Sequence, residues 1–110
     1  MARPTKVRIG PHDIAIKFTE HLLYDGEQVL GLYENHKSLI QVSTQQSDSM
    51  MADSLLHEII HAVHYIQIGI SMKEEELTIK EEQLTTLTAT SLCQVFKDSP
   101  NVINWILNNL

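Results

Sequence analysis

The spacing of hydrophobic positions changes near residue 47. Before it, apolar residues come in short runs broken by polar and turn-forming residues; after it, they recur every three or four positions. Lys6 to Ile9 is a short mixed run ended by Gly10-Pro11, which predicts a first strand and a turn. Asp13 to Phe18 alternates in part, as a half-buried strand does. Residues 19 to 24 fit either an extension of that strand or a short helix, and Asp25-Gly26 is a turn pair. Val29 to Tyr33, interrupted by Gly31, and Ser38 to Ser43, rich in strand formers, predict two more strands. The first half is expected to be a small, mostly antiparallel sheet, preceded by a loose tail over residues 1 to 6.

Ser47-Asp48-Ser49 offers helix-capping side chains. From Met50 to Ile68 there is no Gly or Pro, and apolar residues at 52, 55, 56, 59, 60, 63 and 66 give helical spacing, with Gly69 as the stop. Met51 and Ala62 widen the stripe, so this helix is expected to be buried on most sides. Lys73-Glu74-Glu75-Glu76 reads as a solvated connector. A second helix is predicted over Lys80 to Lys97, with Leu84, Leu87, Leu92, Val95 and Phe96 as its core face. Ser99 is the candidate cap and Pro100 the first residue of a third helix, whose apolar side is Val102, Ile103, Ile106 and Leu107, with Trp105 nearby. The fold class is α+β, one domain over residues 1–110.

Composition narrows the function classes. The net charge is −6, from 14 acidic and 8 basic side chains, and no basic cluster is present to contact phosphates; a nucleic-acid partner is not expected. One cysteine, Cys93, cannot build a disulfide framework within the chain and fits a reducing, cytoplasmic setting. It lies among apparent core residues of the second helix and reads as a small buried hydrophobe. The N-terminus lacks a signal-peptide core, no propeptide is expected, and no apolar run is long enough to span a membrane.

The chemistry is concentrated in Leu55-Leu56-His57-Glu58-Ile59-Ile60-His61-Ala62, which contains His-Glu-x-x-His. Residues four apart share a helix face, so His57 and His61 can turn two imidazoles toward one metal ion, while Glu58 projects beside it as a general base for a water. Chance placement of such a motif in a chain of this composition has odds of about one in forty. The bland alternative, a buried helix with satisfied histidines, leaves Glu58 on a mostly apolar helix with no evident partner. A catalytic zinc takes three protein ligands and keeps one open position. Glu81 falls on the face of the second helix that carries Leu84 and Thr88, and is the preferred third ligand; Glu82 groups with Thr85, Thr86 and Ala89 and is the second choice. The bland alternative is Glu81 as a solvated first-turn residue favoured by the helix dipole. His64 reads as a surface histidine, with a ligand or oxyanion role as alternatives. Tyr65 is a possible oxyanion donor that nothing singles out, and His12, His21 and His36 read as non-ligands.

With these residues in view, the chain resembles the zincin metallopeptidases, and within them the gluzincin arrangement, in which a Glu on the following helix completes the site. Thermolysin-like enzymes open a Glu-x-x-small-Asp pattern about twenty residues after the second His; here Glu81-Glu82-Gln83-Leu84-Thr85 begins at that distance and lacks the Asp. A nearer likeness is to the small phage and prophage metallopeptidase-like proteins related to the ImmA/IrrE group, carried by Leu55 to Ala62, Glu81 to Leu84, Asp98-Ser99-Pro100 and Trp105, over roughly residues 37 to 107. The resemblance implies zinc as cofactor, a zincin-like fold and hydrolysis of peptide bonds in a peptide or protein substrate. It also implies that the strand ahead of the active helix, Ser38 to Ser43, borders the cleft and receives the peptide by strand addition. Two rival expectations remain: a non-catalytic zinc domain that binds a protein partner, and a metal-free domain with coincidental histidines.

Overall fold

The computed structural model describes residues 2–69 and 80–110. Strands β1 (Lys6–Ile9) and β2 (His12–Thr19) form a hairpin about Gly10-Pro11, with Gly10 at φ +56°. A second hairpin pairs β3 (Leu23–Tyr24) with β4 (Glu27–Gln28). Asp25 and Gly26 both take positive φ, +54° and +81°, as a two-residue type I′ turn requires. Residues 19 to 24 thus close β2, turn and enter β3, and form no helix. Next come β5 (Gly31–Glu34), a 3₁₀ turn over Asn35–Lys37, and β6 (Leu39–Ser43).

Strands β1, β2, β6 and β5 form one sheet in that order. The outer pairs are antiparallel, but β2 and β6 run parallel, from Ala15 opposite Leu39 to Thr19 opposite Ser43. The sheet is mostly antiparallel, as expected, with one parallel pair at its centre. A parallel pair needs a connection of a dozen or more residues, and the stretch between β2 and β6, holding the small hairpin and β5, supplies it.

One sheet face is apolar. Val7, Ile9, Ile14, Ile16, Ile40 and Val42 are buried on it, while Lys6, Arg8, Lys17 and Gln41 point the other way. Three helices cover the apolar face: α1 (Asp48–Val63), α2 (Glu81–Asp98) and α3 (Pro100–Asn109). Met51, Ala52, Leu55, Ile59, Ala62 and Val63 of α1 meet Val95 of α2 and Val102, Trp105 and Ile106 of α3 in one core. Each aliphatic side chain fully buried there contributes about 1.5–3 kcal/mol. Trp105 meets Phe18 edge-on at 5.2 Å between centroids. A π-helical turn (His64–Ile68) follows α1 and ends at Gly69, φ +77°.

Other expectations change at the helix surfaces. The inward line of α2 runs through Leu84, Thr88, Ser91, Leu92 and Val95; Leu87 and Phe96 flank it and are exposed, as is Cys93, which is not the buried hydrophobe expected. On α3, Leu107 is exposed and Trp105 buried. Residues 2–5, expected as a loose tail, pack: Pro4 is buried, the Thr5 carbonyl accepts from the Ile16 N–H at 2.8 Å, and the Arg3 guanidinium lies 5.0 Å from the Phe18 ring centre. The charged run at 73–76 lies outside the described residues. Among the described residues no helix is long and apolar enough to cross a membrane.

Strand β1 is one sheet edge. The Thr5–Ile16 bond sets the alternation, so the N–H and C=O of Arg8 face outward. Ser99 Oγ accepts the Arg8 N–H at 2.9 Å. The Gln94 side-chain amide donates to the Arg8 carbonyl at 3.2 Å and accepts from the Gly10 N–H at 2.9 Å, as a neighbouring strand would. Ser99, expected to cap α3 with its side chain, spends its hydroxyl here; no side-chain cap bond is made at that helix start.

Candidate metal and catalytic site

Helix α1 starts where Ser47 Oγ accepts the Met50 N–H at 3.2 Å, and it holds regular winding through Val63. That regularity stacks His57 and His61 one turn apart. Their Nε2 atoms lie 3.0 Å from each other, with the rings perpendicular and 4.5 Å between centroids. Glu58 follows His57 in sequence but turns under β5, 6% exposed, with Oε2 3.9 Å from His57 Nε2. One ligand atom from each of His57, Glu58 and His61 can be chosen so that all three lie within 4.8 Å of one another.

The electrostatics suit a cation. Burial, then the neighbouring His57 and His64, holds the His61 pKa below the ordinary histidine value, so His61 is neutral at pH 7 and has a lone pair to offer. Burial pushes the Glu58 carboxyl above the usual carboxylate range, against the opposing pull of His57 and of a hydrogen bond from the Tyr33 backbone N–H. His61 Nδ1 is buried and has no hydrogen-bond partner among the described residues. Two imidazole nitrogens on one tetrahedral zinc, each about 2.0–2.1 Å from it, stand about 3.3 Å apart. The observed 3.0 Å is close to that spacing, and the donor set of two imidazoles and a carboxylate is one that zinc favours. The residues fit the ion.

The remaining sequence candidates fall as follows. Glu81 and Glu82 both open α2, both are exposed, and neither belongs to the three-residue group. His64 is half-buried, not a free surface residue; its Nε2 lies 3.3 Å from Thr88 Oγ1 on α2, and burial lowers its pKa. Tyr65 is exposed and meets Tyr33 edge-on, 6.3 Å between centroids. His12, His21 and His36 are exposed and outside the group.

The cleft is bordered by β5, and the expectation for residues 38 to 43 is corrected. β6 is flanked by β2 and β5 and has no free edge. Strand β5 is the second sheet edge. The Ser43 N–H donates to the Leu30 carbonyl at 2.9 Å, so by alternation Leu32 and Glu34 bond to β6, while Gly31 and Tyr33 turn their N–H and C=O outward. The Tyr33 N–H of this edge lies on the side of the Glu58 carboxylate and draws its pKa down against burial. A cavity of about 380 Å³ lies between Val29, Leu30 and Gly31 on one side and Asp53, Ser54, His57 and Glu58 of α1 on the other.

Gly31 is the site residue that sequence reasoning missed. A Cβ built there would lie 3.0 Å from Glu58 Cγ and 3.1 Å from Oε2. The signal was present: a glycine inside a strand marks a bulge or a close approach. No protein-family model, curated protein or solved structure matches this chain.

Proposed function

We propose that this chain is a small zinc-dependent metallopeptidase of the gluzincin-like kind its motif resembles, with His57 and His61 as zinc ligands and Glu58 as general base. The observation that carries the reading is the convergence of the two Nε2 atoms at 3.0 Å beside a buried carboxylate. Zinc, when bound, supplies a Lewis acid that polarises a carbonyl and lowers the pKa of a water toward about 7. His57 and His61 would hold it through Nε2. Glu58, raised above the usual carboxylate range by burial, is suited to take the proton from the attacking water and to pass it to the leaving amine. An extended peptide adds to the outward backbone groups of Gly31 and passes through the cleft between β5 and α1.

For the third ligand, helix register supports Glu81 over Glu82. Thr88 touches His64. Gln94, further along α2, binds the Gly10 N–H, and Gln67, further along the π turn, packs against Gly10. The two segments therefore advance in the same general direction. Glu81 precedes Thr88 by seven residues, the step by which His57 precedes His64, about 10 Å of helix. Seven residues return to the same face, so Glu81 lies on the Thr88 face and Glu82 off it.

A second reading is favoured by one observation: Glu58 itself belongs to the three-residue group. Were it a ligand, the chain would be a non-catalytic zinc domain serving a protein partner. Glu58→Gln decides between them. Under the peptidase reading the variant keeps zinc affinity within about threefold and loses peptide hydrolysis by about 10²–10⁴-fold. Hydrolysis at the wild-type rate, or loss of zinc together with activity, would overturn the assignment.

A further inference from the structure

Gly31 opens β5, paired with Val42 of β6, with no left-handed backbone to require glycine. Glycine weakens a strand, so its place there needs another cause. The Glu58 side chain supplies one, because Cγ, Oε2 and Cδ lie 3.0, 3.1 and 3.3 Å from where a Cβ would be. Tyr33, the next residue of β5 on the same face, turns its backbone N–H to the outer side of the strand, toward that carboxylate.

We infer that Gly31 is the positioning residue for Glu58: the missing Cβ lets the carboxylate lie beneath the β5 edge, accept the Tyr33 N–H and stand beside His57. The kinetic consequence rests on the peptidase reading; the geometry stands without it. Glu58 then fills the place that a peptide carbonyl would take opposite Tyr33. An added peptide pairs its backbone with Gly31, through both the N–H and the C=O, and leaves the base where it is. An alanine at 31 keeps that backbone pairing and displaces the base, so its effect belongs on kcat and not on KM.

The test is a double-mutant cycle read by amide hydrogen exchange and by hydrolysis of an unfolded protein, on the full zinc-loaded chain. Gly31→Ala should speed Tyr33 amide exchange at least about tenfold, with the Leu32 and Glu34 amides unchanged and zinc affinity held within about threefold. Glu58→Ala should do the same to Tyr33, and adding Gly31→Ala to it should change exchange by less than about twofold. Hydrolysis by Gly31→Ala should show kcat down at least about tenfold with KM within about twofold. Equal acceleration at Leu32, Tyr33 and Glu34 would mean simple strand damage and overturn the inference, as would an unaffected Tyr33 or additive exchange effects. If exchange behaves as expected but the wild-type chain hydrolyses nothing, the peptidase reading falls and the positioning role stands. If wild type and Gly31→Ala hydrolyse equally, the positioning role falls and the peptidase reading stands.

Discussion

At the β1 edge, the outward groups of Arg8 and the Gly10 N–H are met by the Ser99 hydroxyl and the Gln94 amide. At the β5 edge, the outward groups of Gly31 and the Tyr33 carbonyl face a cleft, and a single carboxylate reaches the Tyr33 N–H. The sheet is the same, but its two borders serve different ends. An unpaired edge invites another chain to add to it, and natural proteins close edges that have no use for one. The edge left accessible here is the one beside the histidine pair. Closure is assigned to side chains of α2 and the α2–α3 junction, and access to a glycine.

Perturbing the open border should register mainly as lost metal and lost chemistry, and perturbing the closed one as lost stability. The largest expected effect is on metal linkage. Zinc at about a hundred times its Kd should stabilise the fold by about 2.7 kcal/mol. His57→Ala should abolish that gain and hydrolysis together, while leaving the metal-stripped melting temperature nearly unchanged, because His57 is exposed. Calorimetry with and without a chelator checks it. Ser99→Ala comes next. It removes the acceptor for the Arg8 N–H from a buried site and should cost about 1–3 kcal/mol, with kcat unaltered; denaturant unfolding measures it. Gln94→Ala, at a more exposed position, should cost about 1 kcal/mol and favour association through β1, read by light scattering.

The smallest effect is a pH dependence of the metal-stripped chain. The Glu58 pKa is raised in the fold from an ordinary value of 4.5, so the ionised carboxylate costs stability that is absent below pH 4.5 and grows as pH rises through the folded value. Metal-stripped Glu58→Gln should therefore melt higher than wild type at pH 7 and equally with it near pH 4. His61 has the opposite sign. Its pKa is lowered from 6.5, so stability is lost as pH falls below 6.5 toward the folded value. A melting difference between the two proteins that stays constant from pH 4 to 7 would remove the buried-carboxylate account.

Legibility in the sequence followed the range of the interaction. Local signals carried β1, the Asp25-Gly26 turn, α1 with its Ser47 cap, and the pairing of His57 with His61 on one helix face. These depend on residues within a turn of one another. The parallel β2–β6 pair was not legible, because strand order depends on a long crossover whose path no short pattern encodes. The resemblance points to the strand directly ahead of the active helix, Ser38 to Ser43, as the cleft border, but that strand lies between β2 and β5, and the edge is the short β5 that Gly31 opens. Ser99 looked like a helix cap from its neighbours and is instead bonded 91 residues away. Leu87 and Phe96 show that hydrophobicity alone does not give direction: both flank the inward row of α2, which keeps the expected Leu84, Thr88 and Leu92 and adds the polar Ser91.

The β3–β4 hairpin hangs from the crossover between two strands whose places are fixed independently of it. Thr19 and Gly31, on either side, are each held by register against β6. Leu23 and Tyr24 at the hairpin, and Leu30 where it rejoins the sheet, are exposed. Leu22, by contrast, is buried, and its carbonyl accepts the Val29 N–H at 3.1 Å. The segment from 23 to 28 is thus an exchangeable tip on a fixed base: lengthening, shortening or replacing it reshapes the surface next to Val29 and Leu30 of the cavity without shifting a residue of the core.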